Sequence, residues 1–328
     1  MTDDNPIFIV GMPRSGTTLM RAALASHSRI AIAPETHYLN YWLRGRDVER
    51  TPTQAEFGEF WRRFVGSRQF RALDIDAGDL RSVLDTEGVP TWRGLFAELL
   101  RAHARGLGKP RCGEKTPAHH EHLARLLAWF PHARVIFMMR DPRSVVASLL
   151  DAPWAPPQLE LHASRWRDCG RVLRAWEDDA RVLPVFYEAL VIDPQEELKR
   201  VCDFLNEPFD AGMLERSAVE LDPAATRGDW ATRHFARARG PFRSDSIDRW
   251  QQRLEPGQVS LIEYLTRREM RRLGYRPVTA GPGIEAWLAL LVRRAGDRLR
   301  REVHRRRQSA DRGAREARQP PGTDGTGR

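Results

Sequence analysis

The fold is decided by residues 6–27, which read PIFIVGMPRSGTTLMRAALASH. Ile7–Val10 is a short apolar run rich in β-branched residues, which predicts a strand buried on both faces of a parallel sheet. Gly11 and Gly16 bracket a tight loop, and a helix-forming run follows at residues 17–25. A strand, a glycine loop and a helix in this order direct backbone N–H groups and the positive end of the helix dipole toward an anion. The stretch therefore predicts an α/β protein with an anion site after its first strand.

The loop differs from that of triphosphate-binding proteins in one residue. The spacing of Gly11 and Gly16 is that of G-x-x-x-x-G-K-[ST], but Thr17 stands where that motif has lysine. The cation of the loop is Arg14 instead. Amides, hydroxyls and one guanidinium suit a smaller anionic group than a triphosphate, and a turn without a ligand is the alternative. The candidate anion ligands are Arg14, Ser15, Gly16, Thr17 and Thr18.

Length and composition limit the classes of protein that remain. The chain has 328 residues, of which 41% are hydrophobic and 30% charged, enough for one large α/β domain with an insertion or for two small domains. It has no apolar stretch of membrane-spanning length and no secretory signal pattern, and its three cysteines are scattered without metal spacing. We therefore expect a cytoplasmic protein with reduced thiols and no metal site.

The positive charge is concentrated near the C-terminus. The net charge is +9, and residues 293–318 contain 11 arginines against four acids. Most of the excess therefore belongs to a tail rather than to a globular face, and no specific nucleic-acid binding is expected. Residues 284–307 predict a basic amphipathic helix, which could lie on an anionic membrane surface, dock on a partner or pack on its own domain. Residues 308–328 have the composition of a disordered segment.

The next elements extend the α/β pattern. Ile30–Ala33 predicts a second strand, and Glu35 follows its end, where ligands of parallel sheets bind. Glu35 is thus either a candidate general base or an exposed loop glutamate. Residues 41–108 predict a helical insertion over the sheet edge, because aromatic residues recur there at helical spacing. Within it, His103 falls on the apolar face and is expected to pack there.

A second strand–loop–helix unit follows the insertion. The run of residues 134–139 predicts a buried strand, with Arg140 at its end and Ser148 in the following helix. Lys115 is expected in a loop before a helix at 119–129, and Val182–Tyr187 predicts a further strand. Two such units predict a ligand with anionic groups at both ends. The expected fold has three layers, with a central parallel sheet flanked by helices as in P-loop proteins, and the expected domains are 1–278 and 279–328.

These motifs together resemble the sulfotransferases. The residues that carry the resemblance are PRSGTT at 13–18, Arg140 with Ser148, the strand VFYEAL around Tyr187 and SIDRW at 246–250, in that order within residues 6–275. Sulfotransferases use 3′-phosphoadenosine 5′-phosphosulfate (PAPS) as the sulfonyl donor. The resemblance implies that residues 14–18 hold the 5′-phosphosulfate, that Arg140 and Ser148 hold the 3′-phosphate, and that Tyr187 contacts the adenine. It also implies that a segment containing Ser246 and Arg249 closes over the nucleotide.

Within that family the chain is most similar to the tyrosylprotein sulfotransferases, which share PRSGTTLMRA. The resemblance implies that Glu35 is the general base and that Lys115, with Arg14, stabilises charge on the transferred and leaving groups. His37 and Thr116 depart from the E-T-R and K-D-P motifs of those enzymes. Those enzymes are membrane-anchored Golgi proteins, and the sequence offers no such anchor, so we expect the catalytic set to carry over while the acceptor does not.

The sequence thus predicts sulfonyl transfer from PAPS to an acceptor hydroxyl on a small molecule, a glycan or a peptide tyrosine. A P-loop kinase or nucleotide hydrolase is one alternative, against which the absent lysine argues. A non-enzymatic protein that binds anions or membranes through its basic tail is the other.

Overall fold

A single parallel sheet organises the described part of the chain. The computed structural model describes residues 5–85, 90–216, 236, 238, 240–281 and 283. The sheet has the strand order β2-β3-β1-β4-β5, and every neighbouring pair is parallel. The strands are β1 (Ile7–Gly11), β2 (Ile30–Ala33), β3 (Arg111–Lys115), β4 (Arg134–Met139) and β5 (Val182–Phe186).

Helices connect the strands and cover both faces of the sheet. They are α1 (Thr17–Ala25), α2 (Gln54–Val65), α3 (Arg68–Arg71), α4 (Ala77–Leu84), α5 (Trp92–Gly106), α6 (Leu123–Trp129), α7 (Pro142–Leu150), α8 (Leu159–Trp176), α9 (Tyr187–Ile192), α10 (Pro194–Leu205), α11 (Gly212–Glu215) and α12 (Pro256–Arg272). The described residues also include a π-helical turn at Tyr38–Trp42 and 3₁₀ turns at Pro117–His122, Ser244–Ser246 and Arg249–Gln252.

The two faces of β1 lie in two different hydrophobic clusters. Phe8 and Val10 pack with the helices of 41–108, whereas Ile7 and Ile9 pack with α1, α9 and α10. This alternation follows from the period of two residues in a strand, and all five residues of β1 are buried. The predicted three-layer fold with a central parallel sheet is therefore confirmed.

The helices of 41–108 share the core of the sheet instead of forming a separate layer at its edge. Tyr38 stacks on Phe96 with ring centroids 4.6 Å apart, and Phe96 lies 6.0 Å from Phe8 of β1. The aromatic spacing that predicted helices at α2 and α5 therefore marks their buried faces. His103 lies beside this core, and its Nδ1 is 2.7 Å from the carbonyl oxygen of Leu73.

One strand was missed from the sequence. Residues 111–115 read RCGEK, a polar run that carries no strand signal, yet they form β3 between β2 and β1. Gly113 permits this close pairing, because an added Cβ would lie 2.4 Å from the carbonyl oxygen of Ile7. Lys115 is consequently the last residue of a buried strand, which corrects its predicted loop position.

Contacts divide the chain into a unit of Met1–Val278 and a unit of Thr279–Arg328. The predicted amphipathic helix at 284–307 and the predicted disordered segment at 308–328 lie outside the described residues.

Candidate active site

Five of the predicted site positions lie at the carboxyl ends of the five strands. The β1 loop (residues 12–16) follows β1, Glu35 follows β2, Lys115 ends β3, Arg140 follows β4 and Tyr187 follows β5. In open parallel sheets this edge is where ligands bind, since the loops there are free to surround them. The strand order therefore gathers residues that are distant in sequence along one edge of the sheet.

The β1 loop has the backbone geometry of an anion-binding loop. Arg14 and Gly16 both have positive φ, 76° and 93°, and the Ser15 amide donates to the Met12 carbonyl at 3.1 Å. Ser15 is fully buried, and its hydroxyl has no hydrogen-bond partner among the described residues. Buried hydroxyls are rarely left without a partner. The orphaned Ser15 Oγ, beside the N-terminus of α1 with Thr17 and Thr18, fits an anionic ligand oxygen.

The β1 loop is in direct contact with the residues after β4. Arg14 Nε donates to Ser148 Oγ at 2.8 Å, across 134 positions of sequence. Arg140 Nη1 donates to the Arg14 carbonyl oxygen at 3.3 Å. Arg140 Nε is buried and has no hydrogen-bond partner among the described residues. The structure thus brings together the two cationic loops that the sequence predicted for one ligand.

Tyr187 joins these loops to a later segment. Its ring lies against the β1 loop, since an added Cβ on Gly16 would be 2.6 Å from Tyr187 Cδ2. The Arg140 guanidinium lies over the ring, with Cζ 4.1 Å from the centroid. The Tyr187 hydroxyl is 2.6 Å from Ser246 Oγ, and Arg140 Nη2 donates to the Ser246 carbonyl oxygen at 2.8 Å. Tyr187 and Arg140 therefore hold the closing segment, which we define as residues 243–250.

The two arginines of the closing segment are paired with an aspartate of the same segment. Arg243 and Arg249 donate to Asp245 at 2.9 and 2.7 Å, and these hydrogen bonds lower the Asp245 pKa to about 2. Ser144 Oγ, in α7, also donates to the Ile247 carbonyl oxygen at 2.8 Å. Arg249 thus contacts its own segment in this structure, and its implied contact with the 3′-phosphate stays a prediction.

Glu35 is paired with two nitrogen groups. Lys115 Nζ donates to Glu35 Oε1, and His37 Nε2 is 3.3 Å from Oε2. The Lys115 side chain is 5% exposed and that of Glu35 is 36% exposed, so the lysine is buried and the carboxylate is partly open to solvent. Burial alone would raise the Glu35 pKa, but Lys115 and His37 outweigh it and hold that pKa far below its usual range. Glu35 is therefore ionised, which is the form that a general base requires.

A buried carboxylate beside this pair was not recognised from the sequence. Glu114 is 1% exposed and contacts Thr36, Thr116 and His119. One sequence offers no signal for it, because the four residues meet only once β2 and β3 are paired. Among the described residues, no group of three or more His, Cys, Asp or Glu side chains is arranged to hold a metal ion.

A cleft lies at the opposite edge of the sheet, at the amino ends of the strands. It has a volume of about 580 Å³ and is lined in part by Arg29, Arg111, Arg134 and Arg181. These cations already have partners in the fold: Arg29 and Arg111 both donate to the carboxylate of Glu207, for example. Arg111 Nε is nevertheless buried without a hydrogen-bond partner among the described residues, as Ser15 Oγ and Arg140 Nε are. The carboxyl edge is the candidate active site because the β1 loop, Glu35, Lys115 and Arg140 meet there, at the strand ends where ligands of parallel sheets bind.

Curated relatives of this chain are protein-tyrosine sulfotransferases. The protein-tyrosine sulfotransferase 1 of Danio rerio is 28% identical over 286 residues, which cover 83% of this chain and 72% of the relative. The protein-tyrosine sulfotransferase of Drosophila melanogaster is 24% identical over 310 residues, which cover 88% of this chain and 58% of the relative.

These relatives contradict the cytoplasmic location predicted from the sequence, because they belong to the class described above as Golgi enzymes. The cytoplasmic prediction is therefore wrong by this comparison. Within the described residues, the helices are too short or too polar to cross a membrane.

The solved structures that are similar support the fold. The sulfotransferase domain of the Synechococcus PCC 7002 olefin synthase matches with a TM-score of 0.59 and 22% identity, covering 84% of this chain and 98% of that domain. The sulfotransferase domain from the curacin biosynthetic pathway matches with a TM-score of 0.57 and 23% identity, covering 83% and 98%. A model of the sulfotransferase family also matches residues 6–211, which include the β1 loop, Glu35, Lys115, Arg140 and Tyr187. The chain is an enzyme for sulfonyl transfer and belongs to the sulfotransferase family.

Proposed function

We propose that this enzyme takes the sulfonyl group from PAPS and transfers it to an acceptor hydroxyl, with Glu35 as the general base. The observation that carries the proposal is the contact between the two cationic loops, made by Arg14 with Ser148 and by Arg140 with the Arg14 carbonyl. A donor with a 5′-phosphosulfate and a 3′-phosphate has two anionic groups, which are what two adjoining cationic loops can bind. Glu35 and Lys115 lie on the same edge of the sheet.

The donor site has unsatisfied polar atoms where the proposal needs them. The orphaned Ser15 Oγ and the N-terminus of α1 are available to the 5′-phosphosulfate, and the orphaned Arg140 Nε is available to the 3′-phosphate. Tyr187 presents an aromatic ring beside Gly16, where the adenine can contact it. Charge-assisted hydrogen bonds to phosphate are stronger than those between neutral groups, so they can hold the donor in one orientation.

The reaction is an in-line transfer in which one S–O bond replaces another. The acceptor hydroxyl gives its proton to the Glu35 carboxylate while its oxygen forms a bond to sulfur. The bond between sulfur and the 5′-phosphate oxygen breaks, and adenosine 3′,5′-bisphosphate leaves with the electron pair. Arg14, Lys115 and the loop amides stabilise the charge that develops on the transferred and leaving groups, by analogy with phosphoryl transfer.

Lys115 has two partners in this scheme. In this structure it donates to Glu35, and in the proposed reaction it stabilises the bridging oxygen. When Lys115 turns toward that oxygen, Glu35 loses its strongest attraction while its burial is unchanged. The Glu35 pKa then rises, which makes the carboxylate a stronger base once the donor is bound.

The acceptor class is proposed from the relatives and from the mechanism. Because the curated relatives are named for protein tyrosine, a peptide tyrosine is the first acceptor to test, with hydroxyls of small molecules and glycans next. All of these acceptors present a phenolic or alcoholic O–H, from which a carboxylate base can take the proton. His37 and Thr116 differ from the motifs of those relatives near the base, so the acceptor can differ while the donor site is kept.

Glu35→Gln tests the proposal directly. We expect kcat to fall by about 10²–10⁴-fold, the usual contribution of a general base, with radiolabelled PAPS and tyrosine peptides as substrates. The affinity for adenosine 3′,5′-bisphosphate, measured by calorimetry, stays within twofold because Glu35 is not part of the donor site.

Glu177→Gln is the matched control, since its side chain is 33% exposed and is also paired with a cation, Arg272. This variant is expected to retain wild-type turnover. Unchanged turnover in Glu35→Gln would remove Glu35 as the base. Magnesium-dependent ATP hydrolysis without sulfonyl transfer would instead favour the P-loop hydrolase.

A further inference from the structure

We infer that Glu114 is a positioning residue that fixes Glu35 opposite Lys115 through a buried hydrogen-bond network. The inference rests on the proposed function, in which Glu35 is the base. Glu114 immediately precedes Lys115 in β3, and it pairs in register with Ala33 of β2, two positions before Glu35. It is therefore placed between the two strand ends that carry the catalytic pair.

The Glu114 carboxylate contacts donors from three segments. Its Oε1 accepts from the Thr36 amide at 3.1 Å and from the Thr36 hydroxyl at 2.5 Å. The Thr116 hydroxyl donates to the same oxygen, and His119 Nδ1 is 3.0 Å from Oε2. Three of these contacts are made with Oε1 and one with Oε2.

The same network satisfies four consecutive backbone amides after Glu35. Beyond the Thr36 amide, the amides of His37 and Tyr38 donate to the hydroxyls of Thr116 and Thr36 at 3.3 and 3.1 Å. The Leu39 amide donates to His119 Nε2 at 3.2 Å. Each backbone amide of residues 36–39 therefore donates either to Glu114 itself or to a side chain that contacts Glu114. The segment that begins next to Glu35 is consequently tied to the end of β3.

The hydrogen-bond pattern defines the proton on His119. Because His119 Nε2 accepts from the Leu39 amide, the ring proton is on Nδ1, where it faces Glu114. His119 is fully buried. Burial alone would raise the Glu114 pKa, but His119 and the threonine hydroxyls outweigh it and lower that pKa. Glu114 is therefore ionised and acts as the acceptor that the whole segment requires.

The fixed segment matters because Glu35 has little support of its own. Glu35 lies outside any strand, is partly exposed, and contacts Lys115 and His37 only through its side chain. Its backbone is held between the end of β2, two residues before it, and the hydrogen-bonded residues 36–39 after it. General-base catalysis requires the base within hydrogen-bond reach of the proton, and a displacement of about 1 Å can reduce a rate by about 10²-fold.

Glu114→Gln tests this role because it keeps the shape and removes the charge. The amide of glutamine cannot accept from all four donors, and its own NH₂ would face another N–H or O–H. We expect kcat for sulfonyl transfer to fall by about 10²-fold, while the dissociation constant for adenosine 3′,5′-bisphosphate changes by less than twofold. Glu269→Gln is the control for loss of a buried carboxylate, since Glu269 is fully buried, bonds Arg174 and Arg272, and lies on α12.

A double-mutant cycle separates positioning from general destabilisation. If Glu114 acts through Glu35, adding Glu114→Gln to Glu35→Gln causes no further loss of kcat, because the group being positioned is already absent. A further loss equal to that in the wild-type background would overturn the inference, as would unchanged kcat in Glu114→Gln. Unchanged kcat in Glu35→Gln alone would instead overturn the proposed base.

Thr116→Val keeps the test decisive if Glu114→Gln does not fold. It removes one donor to Glu114 and the acceptor of the His37 amide, and Thr116→Ser restores both. We expect the valine variant to lose kcat with the affinity for the bisphosphate retained, and the serine variant to recover it. Equal activity of the two variants would contradict the role of the network.

Discussion

Replacing Gly16 with alanine tests how the β1 loop and Tyr187 form the donor site. Gly16 has φ of 93°, a conformation that costs an L-residue about 1–2 kcal/mol. An added Cβ would also lie 2.6 Å from Tyr187 Cδ2, so the ring must move. Movement breaks the hydrogen bond of Tyr187 to Ser246, worth about 0.5–1.5 kcal/mol. It also weakens the cation–π contact with Arg140, worth about 0.5–1 kcal/mol.

Gly16→Ala should therefore lower the free energy of unfolding by roughly 2–4 kcal/mol, measured by urea denaturation. Because Tyr187 is the proposed adenine contact, the affinity for adenosine 3′,5′-bisphosphate should fall by about tenfold, equivalent to a lost contact of about 1.4 kcal/mol. Calorimetric titration of the purified variant measures this change.

Gly45→Ala separates the backbone contribution from that of the ring. Gly45 also has positive φ, 76°, but an added Cβ there meets no atom within 4 Å. This variant should lose only about 1–2 kcal/mol and bind the bisphosphate like the wild type. If Gly16→Ala and Gly45→Ala are equally destabilised and bind equally well, Tyr187 does not link the β1 loop to the closing segment.

Two further predictions concern charged residues of the site. Lys115→Met should raise the pKa of Glu35, because the lysine that stabilises the charged carboxylate is lost while the burial that destabilises it remains. The acidic limb of the residual kcat/KM profile should therefore move to higher pH. Superimposable pH profiles would refute this electrostatic role of Lys115. Arg140→Ala should weaken binding of adenosine 3′,5′-bisphosphate by about 10–100-fold in calorimetry, because charge-assisted hydrogen bonds contribute about 1.5–3 kcal/mol each. Arg134→Ala, at the amino end of the same strand, should leave that affinity unchanged, and an equal loss in both variants would argue against the assignment.

The sequence by itself was sufficient for the elements whose signals are local. The apolar run Ile7–Val10, the glycine loop and the helix after it are read from adjacent residues, and the structure contains all three. The positions of Arg140 and Tyr187 at strand ends follow from the same local pattern. Local signals succeed for these strands because most strands that are buried on both faces of a parallel sheet are continuous apolar runs.

Only the tertiary structure decided which of these residues meet. β3 is a strand although RCGEK is polar, because Gly113 permits close pairing with β1 and β2 supplies the other neighbour. The contact between Arg14 and Ser148 spans 134 positions, a separation that no local pattern encodes. Glu114 is likewise linked to the site only because the pairing of β2 with β3 buries it next to Thr36, the residue after Glu35. A carboxylate in that environment must be hydrogen-bonded, and chain topology determines which donors it finds.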